Sequence, residues 1–191
     1  MPNTKYAHTP PPFTTPAKFA EQVQYIQNLQ RYGKGYFAIN EWGAGPDYGL
    51  NRAMIPYNIT GDAHRAVRQF VSAAFMMVNG GTAGIYLTCI QCYGGRAGGA
   101  GNLSIWPEYA AEVGHPTEGL AALDSTTGVW MRAYSSGLAL VNPAATDERA
   151  ELPTTGAGKC GWTTLYDTKQ VLSGAVTLSP SQGLVLLGAP C

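Results

Sequence analysis

The chain has 191 residues, 45% hydrophobic and 13% charged, and its 12 basic and 12 acidic side chains cancel to a formal net charge of zero. That balance excludes a disordered chain, which would be poorer in apolar residues, and it gives no electrostatic draw toward nucleic acid or an anionic membrane. The longest apolar run, Ala73 to Val78, is far short of the about 20 residues a bilayer span requires, so no membrane partner is expected.

Residues 1–15 are polar and contain Pro10-Pro11-Pro12, which reads as an extended arm. From Pro16, the apolar residues Phe19, Val23, Ile26 and Leu29 recur at helical spacing. Thr15 is placed to cap that helix, Pro16 to occupy its first position and Gly33 to stop it. Tyr36 to Ile39 is a continuous apolar run, the pattern of a strand covered on both faces. A long glycine- and proline-containing loop over 42–59 leads to a second helix, capped by Thr60 or Asp62 and ended by Asn79-Gly80-Gly81. A second buried-type strand follows over 83–90. Helix–strand–helix–strand is the order of a parallel α/β sheet, and the loops after its strands are the long ones.

Beyond Leu123 the pattern changes to short alternating runs. Val129 to Tyr134 and Leu138 to Val141, joined by Ser135-Ser136-Gly137, predict a hairpin. Ala175 to Leu178 and Gly183 to Leu187 predict a second pair around Ser179 to Gln182. Three divisions follow: an arm at 1–15, an α/β unit at 16–124 and a small antiparallel β domain at 125–191. No internal repeat is visible.

Several features lean toward an extracellular protein. Charge is low, and the four cysteines at 89, 92, 160 and 191 are an even set, as a disulfide framework needs. Of three connectivities, the favoured one is a Cys160–Cys191 bridge tying down the C-terminus with a local Cys89–Cys92 bridge. Asn58-Ile59-Thr60 and Asn102-Leu103-Ser104 are glycosylation acceptors in loops. The first residues lack the apolar core of a signal peptide, and the tension with an oxidised-looking chain leaves open whether Met1 is the natural start.

The residues from Gly128 to Pro143 resemble the start of the β domain that closes many barrel glycoside hydrolases, the group called hypothetical glycosyl hydrolase family 15. Leu172 to Pro180, Gly183 to Leu187, Ala73 to Gly80, Trp106 to Tyr109 and Gly114 to Pro116 are similar to the same group. The resemblance covers roughly the last four-fifths of the chain. It implies an α/β fold in which a partial (β/α) barrel-like unit with parallel strands precedes the β domain. Strands 36–39 and 83–90 would then be the seventh and eighth of a barrel whose first six lie elsewhere.

Glu41, where the first of these strands gives way to its loop, is similar in position to the nucleophile of many retaining barrel glycosidases. Such enzymes need a second carboxyl group about 5–5.5 Å away; Asp47, Glu108 and Glu112 lie on nearby loops without a motif to single one out. The competing reading of Glu41 is a carboxylate that pairs with a loop arginine or caps a turn. Trp42, Tyr48, Tyr93, Trp106 and Tyr109 fall on the loops after the strands, where flat rings can stack on the apolar faces of sugars; simple loop packing competes with that reading.

Cys89-Ile90-Gln91-Cys92 is followed by Tyr93-Gly94-Gly95 and no helix, which disfavours a redox pair. Zinc would need two more ligands at paired spacing, so no metal is expected. His8, His64 and His115 are scattered, and the glycine-dense stretch 94–101 does not open onto a helix, so neither a triad nor a phosphate cradle is expected. No cofactor is implied. Two functions remain in view. One is the C-terminal portion of a secreted glycoside-hydrolase-like protein acting on or binding polysaccharide, not catalytic alone and completed by an upstream chain. The other is a non-enzymatic extracellular structural or carbohydrate-binding subunit that self-assembles into a homo-oligomer. A free-standing small α/β fold packed on the β domain is also physically allowed.

Overall fold

The structure, a computed structural model, describes residues 15–42, 62–81, 83–89, 107–117, 121–124, 126–155 and 158–191. Helix α1 (Pro16–Arg31) begins as its sequence predicts. Thr15 is extended, its hydroxyl accepts the Lys18 N–H at 3.3 Å, and Pro16 opens the first turn. Gly33 takes φ of +70° just past the end, and Lys34 N–H donates back to the Leu29 carbonyl. Helix α2 (Asp62–Val78) ends before Asn79, with Gly81 at φ +93°.

Strands β1 (Tyr36–Trp42) and β2 (Ala83–Cys89) lie side by side and parallel, in register from Tyr36 opposite Ala83 to Trp42 opposite Cys89. β1 runs three residues past the expected end at Ile39. Glu41 and Trp42 are therefore strand residues, not loop residues, because β2 offers a continuous ladder there that outweighs the change to polar side chains. Among the described residues this pair is the whole parallel sheet, and no barrel is evident.

The remaining strands are antiparallel. β3 (Ala122–Leu123), β4 (Trp130–Ala133), β5 (Gly137–Asn142), β7 (Lys159–Thr164) and β9 (Gln182–Pro190) form a sheet in the order β3-β4-β5-β9-β7, and β6 (Glu148–Glu151) pairs with β8 (Ala175–Leu178). The β4–β5 hairpin is the one the sequence predicts. The second expected hairpin does not form. β8 pairs with β6, whereas β9 inserts between β5 and β7. The segment from Ser179 to Gln182 carries the chain from one sheet to the other, so that Leu178 and Val176 stack face to face with Leu184 and Leu186 instead of pairing edge to edge.

β5 explains the layering. Its alternate residues Leu138 and Leu140 pack toward β6 and β8, in a cluster with Val129, Ala150, Trp162 and Leu178. Its intervening residues Ala139 and Val141 pack toward the helices, with Phe19, Val23, Phe70, Ala73, Met77 and Val185. Large side chains fill the sheet-to-sheet side and small ones admit α2. Gly183, opposite Val141, is the extreme case: a Cβ there would stand 2.5 Å from the Phe70 Cα and 2.8 Å from the Gln69 carbonyl oxygen. Phe19 of α1 meets Trp130 of β4 edge-on, with ring centroids 5.7 Å apart.

The last carbonyls of α2 lack helical donors and are satisfied from outside. Asn79 N–H serves Phe75, and Met76 accepts from both the Arg132 guanidinium (2.8 Å) and the Tyr134 hydroxyl (2.7 Å). Gln27 reaches Met77 at 3.5 Å, and Gln30 donates to Val78 while its own carbonyl accepts the Gly80 N–H. α2 has no basic residue in its last turn, so the buried Arg132 of β4 supplies the cation that a helix C-terminus favours.

At the far edge of the five-stranded sheet, Cys160 of β7 is disulfide-bonded to Cys191, with Cα atoms 5.0 Å apart. Among the described residues no helix is long and apolar enough to cross a membrane.

Candidate functional site

β1 and β2 point the same way, so their carboxyl ends share one rim. Glu41 stands opposite Thr88 there, one residue before the end of β1. Tyr36 packs against the apolar cluster under the helices, while Phe37 is 63% exposed on the other face. A Cβ on Gly84 would fall 2.7 Å from the Phe37 ring, which covers the glycine at the amino end of that face. That face is thus apolar at the amino end of the pair.

The first turns of α2 carry two arginines, Arg65 and Arg68, that meet the chain beyond the parallel pair. A short 3-10 helix, Pro107–Ala110, lies against α2. Glu108 is buried there, its side chain 1% exposed, with Oε1 3.4 Å from Arg68 Nε. The Tyr166 hydroxyl, on the turn after β7, donates to the same Oε1 at 2.5 Å, and Arg68 donates to the Tyr166 oxygen at 3.3 Å. Arg65 lies over the Tyr166 ring, 5.0 Å from its centroid. Burial, and then the hydrogen bond to Glu108, push the Tyr166 hydroxyl above its ordinary value, so it stays a proton donor through neutral pH.

This arrangement removes Glu108 from the acid/base candidates. A carboxylate shielded by an ion pair and a tyrosine hydroxyl is closed to substrate and serves to hold its helix in place. Glu112 is exposed, and Asp47 lies outside the described residues. Of the expected aromatic platform, Tyr109 is described and 38% exposed, and Trp42 is placed by its backbone in β1. Tyr48, Tyr93, Trp106, the acceptors Asn58 and Asn102, and Cys92 fall outside the described residues, and Cys89 is placed by its backbone at the end of β2. His115 sits on an exposed turn whose N–H donates to the Ser135 hydroxyl at 3.2 Å. Among the described residues no three His, Cys, Asp or Glu side chains gather as a metal site would require.

Sequence reasoning missed Arg68 and Tyr166. Arg68 falls among the apolar residues of α2 and looks solvated until Glu108 is seen against it. No family model matches the chain, and neither a curated protein nor a solved structure matches it.

Proposed function

We propose that this chain is the C-terminal portion of a secreted glycoside-hydrolase-like protein that binds or cleaves polysaccharide. In this reading Glu41 is the carboxylate nucleophile, and the remaining strands of a barrel come from polypeptide beyond the described residues. The observation that carries it is the β1–α2–β2 unit: two parallel strands in register, joined by a helix that covers one face, with Glu41 at the carboxyl end. That is the repeating unit of a (β/α) barrel, whose functional side chains stand at the carboxyl ends of its strands. Among the described residues neither outer edge of these two strands is paired and Phe37 is exposed, a poor end state in water, so further strands are expected to cover them. The disulfide at the C-terminus supports an oxidising compartment.

The 191 residues alone are expected to be inactive, since retaining hydrolysis needs a second carboxyl group close to the first. In the full-length natural protein, Glu41→Gln should abolish polysaccharide hydrolysis and leave binding in place. Unchanged turnover would take Glu41 out of the site. The same open edges would also serve a subunit that completes its sheet with neighbouring copies. Concentration-dependent assembly of the chain in sedimentation, with no hydrolysis by the full-length protein, would favour that second reading.

A further inference from the structure

Helix α1 buries one side and leaves aromatic rings on the other. Phe19 and Val23 face the core, whereas Tyr25 is 64% and Tyr32 81% exposed. The two tyrosines are seven positions apart, just under two helical turns, so they stand on one line about 10 Å apart along the axis. Leu29, half-buried, lies one turn from each and gives the gap between them an apolar floor. Gln22 and Asn28 flank the line, exposed and uncharged. Aromatic rings on either side of an apolar gap, edged by amide donors, suit a polyproline segment, which brings apolar rings and carbonyls without internal partners. One turn of such a segment advances about 9.3 Å, close to the spacing of the tyrosines.

We propose that Tyr25 and Tyr32 receive the Pro10-Pro11-Pro12 segment of a second copy of this chain, in a mutual exchange of arms that makes a two-fold dimer. The arm leads directly into α1, and its length decides whose helix the prolines reach. Only residues 13–15 separate them from the helix, and Thr15 is extended as the chain enters it. Folded back along its own helix at about 3.1 Å per residue, the arm would set Pro12 level with the first turn and Pro10 about 6 Å further on. Tyr25 lies about 13 Å from the helix start and Tyr32 about 24 Å. The prolines therefore stop short of the gap on their own helix, a limit that a neighbour's helix does not impose. This docking is independent of the carbohydrate reading and of the open sheet edges.

Sedimentation equilibrium of the 191-residue chain tests the exchange. Wild type should show a monomer–dimer equilibrium. Tyr25→Ala combined with Tyr32→Ala, on an exposed helix face that alanine suits, should weaken dimerisation at least about tenfold with the thermal midpoint nearly unchanged. Pro10→Ser, Pro11→Ser and Pro12→Ser together should do the same. Mixing the two variants is the discriminating step, because each mixed dimer regains one intact arm on one intact face. The mixture should associate more tightly than either variant alone. A wild type that stays monomeric at every concentration would overturn the exchange, whether the arm folds back or docks nowhere. Assembly that survives both sets of substitutions would belong to other surfaces, such as the sheet edges, and would overturn it equally. So would a mixture that associates no better than its components. Should the tyrosine variant lose its fold, Tyr25→Gln with Tyr32→Gln takes its place in the mixture.

Discussion

The Met76 carbonyl offers a sharp test of how α2 is fixed to the antiparallel sheet. Its oxygen is buried and accepts from two donors on β4 and the turn that follows, Arg132 and Tyr134. Tyr134→Phe removes one of them and leaves the other, so the expected cost is about 1 kcal/mol. Arg132→Met removes a charge-assisted bond but also relieves a buried cation, for a net cost of about 1–2 kcal/mol. The double variant differs in kind, because the carbonyl then has no donor from the sheet and its helical donor, Gly80 N–H, is already given to Gln30. An orphaned buried acceptor costs about 1–3 kcal/mol beyond the bonds themselves. The double variant should therefore fall short of the summed singles by at least about 1 kcal/mol. At about 2–4 °C per kcal/mol for a chain of this size, it should melt about 10 °C lower than wild type. Urea unfolding followed by tryptophan fluorescence and far-ultraviolet circular dichroism measures all four corners of the cycle. Additivity within about 0.5 kcal/mol would refute the shared-acceptor argument.

Two further outcomes follow from other parts of the fold. Replacing both Cys160 and Cys191 by serine opens a bridge between residues 31 apart and should cost about 3–4 kcal/mol, with faster amide exchange in β7 and the end of β9; a melting temperature within about 2 °C of wild type would contradict this. Burial raises the hydroxyl pKa of Tyr134, against a smaller opposing pull from Arg132, and raises that of Tyr166 with help from Glu108, both above the ordinary 10.0. The folded chain keeps these protons where the unfolded chain has begun to release them. Their contribution is thus complete below about pH 10 and lost as pH rises through the folded values. Urea midpoints that stay level or rise through that window would contradict the assignment, and Tyr134→Phe should flatten the decline.

The helices and the parallel pair were legible because each carries its own signal: Thr15 and Pro16 at a start, Gly33 and Asn79-Gly80-Gly81 at stops, and unbroken apolar runs in the strands. The β4–β5 hairpin was legible from alternation around Ser135-Ser136-Gly137. β6 was not, because Glu148 to Glu151 buries a single residue, Ala150, and reads as polar surface. β7 was hidden by Gly161, whose φ of +153° and shifted register against β9 interrupt the alternation. The partner of β8 was misread for a related reason. Two apolar runs flanking a turn look like a hairpin whether they pair by hydrogen bonds or stack across a core, and side-chain pattern alone does not separate the two. The end of the apolar run drew attention to Glu41, which lies in β1 one residue before its end. The cluster of Arg68, Glu108 and Tyr166 was not legible, since Tyr166 lies 58 residues from Glu108 and 98 from Arg68, and only the folded chain brings them together.

The seat that β5 and β9 offer to α2 acts as a gauge. Ala139, Val141, Gly183 and Val185 set the spacing between helix and sheet, and at Gly183 the clearance is already spent. A single added methyl group there would jack the helix off its bed. The same helix holds Glu108 through Arg68 and receives Arg132 at its far end, so a displacement at its middle would be felt at both attachments without any change to the residues that make them.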